Sequence, residues 1–507
     1  MLNGLDSLAF PLPSSSFPLL SDRPSLAVVG GGWAGLAAAV AASEHGLRVE
    51  LFERRKQLGG RAGSFHDPQI GGLVDDCQHV SMGCCTNLAD LCRRTGLSDC
   101  FQRYRTPHFF GPQGTRHDFT PSNWLPAPLH LAPALLRLGF LSVGERWAVV
   151  RAMRRLAGAS VGDTGAEQTI GDWLRRQGQS QRAIEYFWSV ILVGALSEPL
   201  DCISVGAARK VFVDGFLAAR TAYEIEVPKV PLSEIIGRVA AWLAGRGVAL
   251  HPGTPVAQID GDAGRATGVV LGNGGRRAFD FVVVAVPWHR VRSLFSETML
   301  AAMPALEGVA EIRPAPITAV HLWFDRPITS LPHAVLVGRL AQWVFSYHRE
   351  KGTGAICRNG REGAGHKSEM SPFRCQVVIS ASHELAGRSR EDVVADVRRD
   401  LEAIWPEARH ARLLHWRLVT RPAAVFSCRP GLERLRPAQE TPIANLMLAG
   451  DWTATGWPAT MEGAVRSGYL AIEAVLRSLG TDNRLLVPDL PRSWLVRCLL
   501  GLHKSDA

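Results

Sequence analysis

Residues whose types and spacing could hold a reactive group appear early in the chain. Gly30, Gly32 and Gly35 stand in the order Gly-x-Gly-x-x-Gly, and an acid, Glu53, follows at roughly the 20-residue distance expected of a ribose-binding carboxylate. The chemistry open to this set is the holding of a dinucleotide. The first glycine permits a tight turn, the second lets a pyrophosphate approach the backbone, and the third allows a helix to pack closely on a strand. Free amides at the helix start and the positive end of its dipole then face the phosphates. Trp33 and Ala34 inside the turn, and Arg54 beside the acid, complete the set expected against the ligand. Just downstream, Gly59-Gly60-Arg61 can bring further amides and one guanidinium to the same pyrophosphate.

The elements that must position these residues are legible around them. Leu26 to Val29 is a short apolar run, as in a buried parallel strand, and Ala37 to Ala42 favours a helix. Arg48 to Glu53 reads as a second strand ending in the acid. Between Val227 and Asp260, Ile235, Ile236, Val239 and Leu243 follow the helical period, Gly247 stops the helix, and two strands follow. A buried strand ends at Pro287, and another, Leu446 to Ala449, leads into Gly450-Asp451. The expected fold class is α/β: a Rossmann-type cofactor domain assembled from 25–90, 225–292 and 440–480. The substrate domain, a mixed sheet plus helices, would use 91–224 and 293–439. Residues 1–24 read as a flexible leader, 348–373 as an exposed polar insertion, and 481–507 as a tail.

Composition narrows the class. The 507 residues are 46% hydrophobic and 20% charged, which is globular. The net charge of +9 comes from 56 basic residues, but these are spread along the chain without a dense block or a nucleic-acid module, so no nucleic-acid partner is expected. None of the 10 cysteines forms a C-x-x-C pair, so no metal site is expected and the thiols read as small buried groups in a reducing compartment. The leader lacks the basic start of a signal peptide. Outside the glycine-rich run at 26–42, no stretch has the ~18–20 uninterrupted apolar residues of a membrane span. The expectation is a cytoplasmic protein, with contact to the inner membrane face left open.

Gly59-Gly60-Arg61 after the Glu53 strand resembles the FAD fingerprint of the glutathione-reductase-like flavoproteins, within the amine oxidase and carotenoid desaturase superfamily. The resemblance implies FAD as cofactor. It further implies that Val256 meets the adenine through its backbone, and that Gly450-Asp451 holds the ribityl chain. Met461-Glu462-Gly463-Ala464 would then open a helix toward the flavin, with Met461, Glu462 and Ala464 as contacts. A positive helix end there favours an anionic reduced flavin. Amine oxidases of the superfamily place an aromatic residue just before this helix; here the position is Thr460, which weakens the case for an amine substrate.

Val74–Leu97, Leu125–Trp147 and Gly450–Tyr469 together resemble the hydroxysqualene dehydroxylases. What this implies is loss of water from an allylic C30 alcohol, with reduced FAD supplying hydride to give squalene. Asp75, Asp76 and His79 are then candidate acids for the leaving hydroxyl. His79 titrates near neutral pH, whereas a structural role is the ordinary alternative for each of the three. Trp188, Trp323 and Trp343 either line a substrate tunnel or simply pack. The implied partner is a long-chain isoprenoid, and no motif names the electron donor that reduces the flavin. A hydrocarbon substrate would bring the enzyme to a membrane surface, through the basic, apolar stretches at 129–158 and 491–504. The alternatives are a carotenoid or phytoene-type desaturase, an amine oxidase, and a prenyl-lipid-binding module without catalysis.

Overall fold

The computed structural model describes residues 23–159, 168–347 and 372–500. The leader at 1–22, the insertion at 348–371 and the tail from residue 501 lie outside the described residues. Phe373, placed above at the end of the insertion, opens the strand Phe373–Ser380 and pairs with Phe324.

A five-stranded parallel sheet carries, in spatial order, Ala249–Pro252, Arg48–Glu53, Ser25–Val29, Phe281–Val284 and Leu446–Leu448. Ser25–Val29 and Phe281–Val284 are buried along their whole length, because a parallel sheet is covered on both faces. Two helices, Trp33–Glu44 and Met461–Ser478, pack together on it. A Cβ on Gly468 would lie 2.4 Å from the Ala34 carbonyl oxygen and 2.9 Å from the Ala38 nitrogen. Glycine on one helix and alanine on the other thus set the close approach. A small antiparallel sheet of Val256–Gly261, Ala266–Leu271 and Arg276–Ala278 adjoins.

Above this layer lies a seven-stranded mixed sheet in the order Leu413–Phe426, Pro314–Phe324, Phe373–Ser380, Trp343–Tyr347, His333–Leu336, His108–Phe110 and Arg116–Asp118. Its strands alternate faces as the pleat requires. Cys375, Val377 and Ile379 pack with Val393, Val397 and Leu401 of the helix Arg390–Ile404. Val378 and Ser380, from the opposite face, line a cavity that the helices Val143–Gly158, Ser189–Leu196 and Val205–Phe212 roof. Of the three tryptophans named above, Trp343 lines that cavity. Trp188 is fully buried and donates to Gln179 Oε1 at 2.9 Å, and Trp323 packs beside His415.

One boundary drawn from sequence is crossed by a helix, and the start of the tail packs on the body of the protein. The helix Thr86–Arg94 runs across residue 90 and is tied to the Met461–Ser478 helix, so it belongs with the cofactor layer. The first part of the tail is strapped down rather than hanging free. The amides of Leu485 and Leu486 donate to Glu473 Oε1 at 2.7 and 2.8 Å, and Asp489 pairs with Lys210 and Arg466. Among the described residues every cysteine is a free thiol, no group of His, Cys, Asp and Glu could hold a metal ion, and no helix is long and apolar enough to cross a membrane.

Candidate active site

The glycine turn meets its neighbours where side chains cannot. Gly30 has φ of +114°, and a Cβ there would lie 2.5 Å from the Ala285 carbonyl oxygen. A Cβ on Gly35 would come within 1.9 Å of the Gly30 carbonyl oxygen, so the helix start sits directly on the turn. Gly32 has open space above it, and its nearest neighbour is the Gly60 Cα, 3.9 Å from a would-be Cβ. That space is the cradle, with Gly30, Gly32, Trp33, Ala34, Gly60 and Arg61 on its wall. Glu53 stands at its rim, Oε2 accepting the Gly31 amide and Oε1 the Arg55 amide, each at 2.8 Å. A carboxylate has about four acceptor positions, so both oxygens keep capacity for a diol. Trp33 Nε1 is buried with no hydrogen-bond partner among the described residues, a donor waiting for an acceptor in the cradle. Arg54 and, beyond Glu53, Val256 complete the same wall. The residues present therefore fit FAD.

At the other end of the cradle, Arg61 donates to Asp451 Oδ1 at 2.5 Å and to the Ala424 carbonyl at 3.1 Å. Two residues expected to serve different parts of the cofactor thus hold each other in place. Gly450, with φ of +141°, turns the chain into Asp451. Arg436, which sequence reasoning missed, fixes the following loop. Its buried guanidinium donates to the carbonyls of Asp451, Thr453 and Trp457. Thr460 caps the helix Met461–Ser478 by accepting the Gly463 amide at 3.0 Å, and Met461 and Ala464 face the cavity. The side chain of Glu462 does something else. Its carboxylate, fully buried, accepts the amides of Asn87 and Leu88 and the Asn87 side-chain amide, stitching two helices together. Burial pushes its pKa up while these donors pull it down.

The three candidate acids separate. Asp75 is off the cavity wall; its Oδ1 accepts the Ser64 hydroxyl at 2.6 Å and the Leu232 amide at 3.0 Å. Burial raises its pKa, and with both donors holding it off the cavity wall, the candidate acids that face the cavity are Asp76 and His79. Asp76 does face the cavity and is paired with Arg421, whose Nη2 lies 2.5 Å from its Oδ1. His79 also lines the cavity. Its Nδ1 lies 2.9 Å from the Cys77 carbonyl, which fixes the proton on Nδ1 and leaves Nε2 as the site of exchange. Burial lowers its pKa below the ordinary 6.5, partly offset by Cys77 and the nearby acids. Gln78 stands between them, 2.6 Å from the Tyr347 hydroxyl. Arg421 was missed because nothing local marks it: its partner lies 345 positions away.

These groups and the cradle open into one continuous cavity of about 1200 Å³. That exceeds the ~300–1,000 Å³ of a single drug-sized site. Away from the glycines its walls become apolar and aromatic, with Phe109, Phe187, Ile191, Phe212, Phe216 and Trp343 among them. The arrangement can hold a dinucleotide at one end, a long apolar molecule at the other, and exchange a proton between them.

The chain is 27% identical over 462 residues to hydroxysqualene dehydroxylase from Sinorhizobium fredii, covering 90% of this chain and 99% of that protein. It is 25% identical over 472 residues to 15-cis-phytoene desaturase from Synechococcus elongatus, covering 89% and 95%. An oxidoreductase structure from Methanosarcina mazei superposes with a TM-score of 0.66 at 17% identity, covering 89% of this chain and all of the other, which shows the fold. Residues 33–476 match the flavin containing amine oxidoreductases. With its glycine cradle, Glu53 rim and capped Met461 helix, the chain belongs to the flavin containing amine oxidoreductase family and is an FAD-dependent oxidoreductase.

Proposed function

We propose that this protein removes the hydroxyl of an allylic C30 alcohol, hydroxysqualene, and delivers hydride to the same carbon to give squalene. The observation that carries the reading is the continuity of the cavity: a cofactor cradle, then Asp76–Arg421, Gln78 and His79, then a long apolar tunnel. Relatives named hydroxysqualene dehydroxylase, aligned over nearly the whole chain, support it. FAD, when bound and reduced, supplies the hydride. The chain's own residues do the rest. The C–O bond breaks, the oxygen leaves as water after taking a proton, and the carbon takes the hydride.

Arg421, held by Asp76, presents guanidinium N–H groups that can grip the hydroxyl oxygen as charge gathers on it. His79 carries the exchangeable proton at Nε2. Its lowered pKa makes that proton easy to give up, at the cost of a smaller protonated fraction at neutral pH. The aromatic walls bury the chain and exclude water from an allylic cation. The site residues proposed for the cofactor are Gly30, Gly32, Trp33, Ala34, Gly35, Glu53, Arg54, Gly60, Arg61, Val256, Gly450, Asp451, Met461, Glu462 and Ala464, with Glu462 contributing at the helix start, since its carboxylate is held by Asn87 and Leu88.

A second reading, desaturation of a carotenoid precursor, is favoured by the equally extensive match to phytoene desaturase. One experiment separates them. The flavin of the purified protein is reduced without oxygen, and hydroxysqualene is added in detergent. Squalene formed together with flavin reoxidation is the expected result; oxidation of phytoene by the oxidised enzyme, with no squalene, would overturn it.

A further inference from the structure

Twelve large apolar side chains are markedly exposed among the described residues, and nine of them come from two short regions, 124–150 and 494–499. Trp124 is 93% exposed, Trp147 66% and Trp494 68%. Such exposure is normal for a lone surface residue but not for a cluster of tryptophans. A single small core makes the cluster one surface. Ala127 and Leu131, Ala157 of the helix Val143–Gly158, and Val496 and Leu500 of the helix Trp494–Leu500 pack together. The two helices touch so closely that a Cβ on Gly158 would lie 3.3 Å from the Leu500 carbonyl oxygen.

On the longer helix, Val143, Trp147, Val150 and Arg154 recur at helical spacing and all face out. The same segments also line the far end of the cavity through Leu129, Val150, Met153, Arg154, Leu499 and Leu500. The tunnel therefore reaches this surface. Its charge is one-sided as well: between 122 and 158 there are five arginines and a single acid, Glu145. Glu145 is occupied in capping its helix, while Arg137, Arg151 and Arg154 are exposed with no ion pair among the described residues.

We infer that this face seats in an anionic phospholipid bilayer, with the tryptophans at headgroup depth, the arginines on phosphates, and the tunnel mouth opening into the acyl region. The role of the mouth rests on the long isoprenoid substrate proposed above. It makes substrate and product exchange directly with the membrane, without crossing water.

Full-length protein carrying its flavin is mixed with vesicles of phosphatidylcholine, with or without phosphatidylglycerol, and floated on a density gradient with no substrate present. Wild type is expected to float with the anionic vesicles. Trp124→Glu/Trp147→Glu/Trp494→Glu, none of which lines the cavity, is expected to bind on the order of tenfold less or weaker while keeping its flavin absorbance. Arg137→Glu/Arg151→Glu is expected to erase the preference for phosphatidylglycerol. The inference falls if wild type does not float, or if the tryptophan variant floats as well as wild type. It also falls if wild type is a dimer that this variant splits while vesicle binding is absent, since the face would then join two copies. Because no substrate is used, a failed squalene assay overturns the proposed reaction and leaves this result standing.

Discussion

The two ends of the cavity are built on different principles. The cofactor end is made of backbone. Gly30, Gly35 and Gly60 stand where a Cβ or an ordinary φ cannot be accommodated, and its acid, Glu53, is locked by two amides. The substrate end is made of side chains: aromatic and aliphatic groups from helices and one sheet face, few with hydrogen bonds to fix them. Backbone geometry either fits or fails, whereas an apolar wall can be repacked at a cost of about 1–3 kcal/mol. Errors at the first end should remove function outright, and errors at the second should tune it.

The largest effect is expected from Gly35→Val. The branched side chain has no room above the Gly30 carbonyl, so the purified protein should carry no flavin and show no turnover; the visible absorbance after purification checks this. Next comes the polar junction between the ends. Arg421→Ala should lower turnover by roughly 10²–10³-fold, the usual scale for removing one donor to a developing charge, while flavin absorbance stays intact. Arg421→Lys should restore part of it. The wild type is expected to speed up as pH falls below neutral, since burial keeps the imidazole neutral and only acid loads Nε2, and His79→Gln should remove that rise. A pH–rate profile with reduced flavin reads that limb directly.

Acid should also divide the two regions in stability. Burial lowers His321 to about 3 and His333 to about 4, both in the substrate-domain sheet, and His130 to about 4 beside it. Groups depressed in this way stabilise the fold fully above the unfolded imidazole value near 6.5. The contribution is lost as pH falls from there toward their folded values. The hydrogen-exchange protection factors of Pro314–Phe324 and His333–Leu336, corrected for the intrinsic exchange rate, should therefore fall between about pH 6 and 4. Ser25–Val29, which holds no histidine, should stay protected. The smallest effect is expected from Phe216→Leu in the tunnel wall: a few-fold change in KM for a long substrate with flavin content unchanged, measured by steady-state kinetics.

The same contrast explains what could be read without the structure. The five strands of the parallel sheet lie in the segments 25–90, 225–292 and 440–480, because buried apolar runs and glycine turns are local signals. Asp75 and Asp76 are adjacent and chemically identical, so sequence could not tell that one binds Ser64 and Leu232 while the other meets Arg421. Glu462 likewise sits at the right helix end but points its carboxylate at Asn87 and Leu88. Side-chain direction depends on which distant element packs nearby, and no spacing rule carries that.

By itself, then, the sequence determined the dinucleotide turn, its acid and the strands around them, since each depends on residues within one or two elements. Only the tertiary structure decided which acid faces the cavity, and that Arg421 and Arg436 complete the site from far along the chain. It alone brought the exposed tryptophans of 124–147 and 494 to the mouth of one tunnel, because contacts between remote segments are fixed by packing and not by spacing.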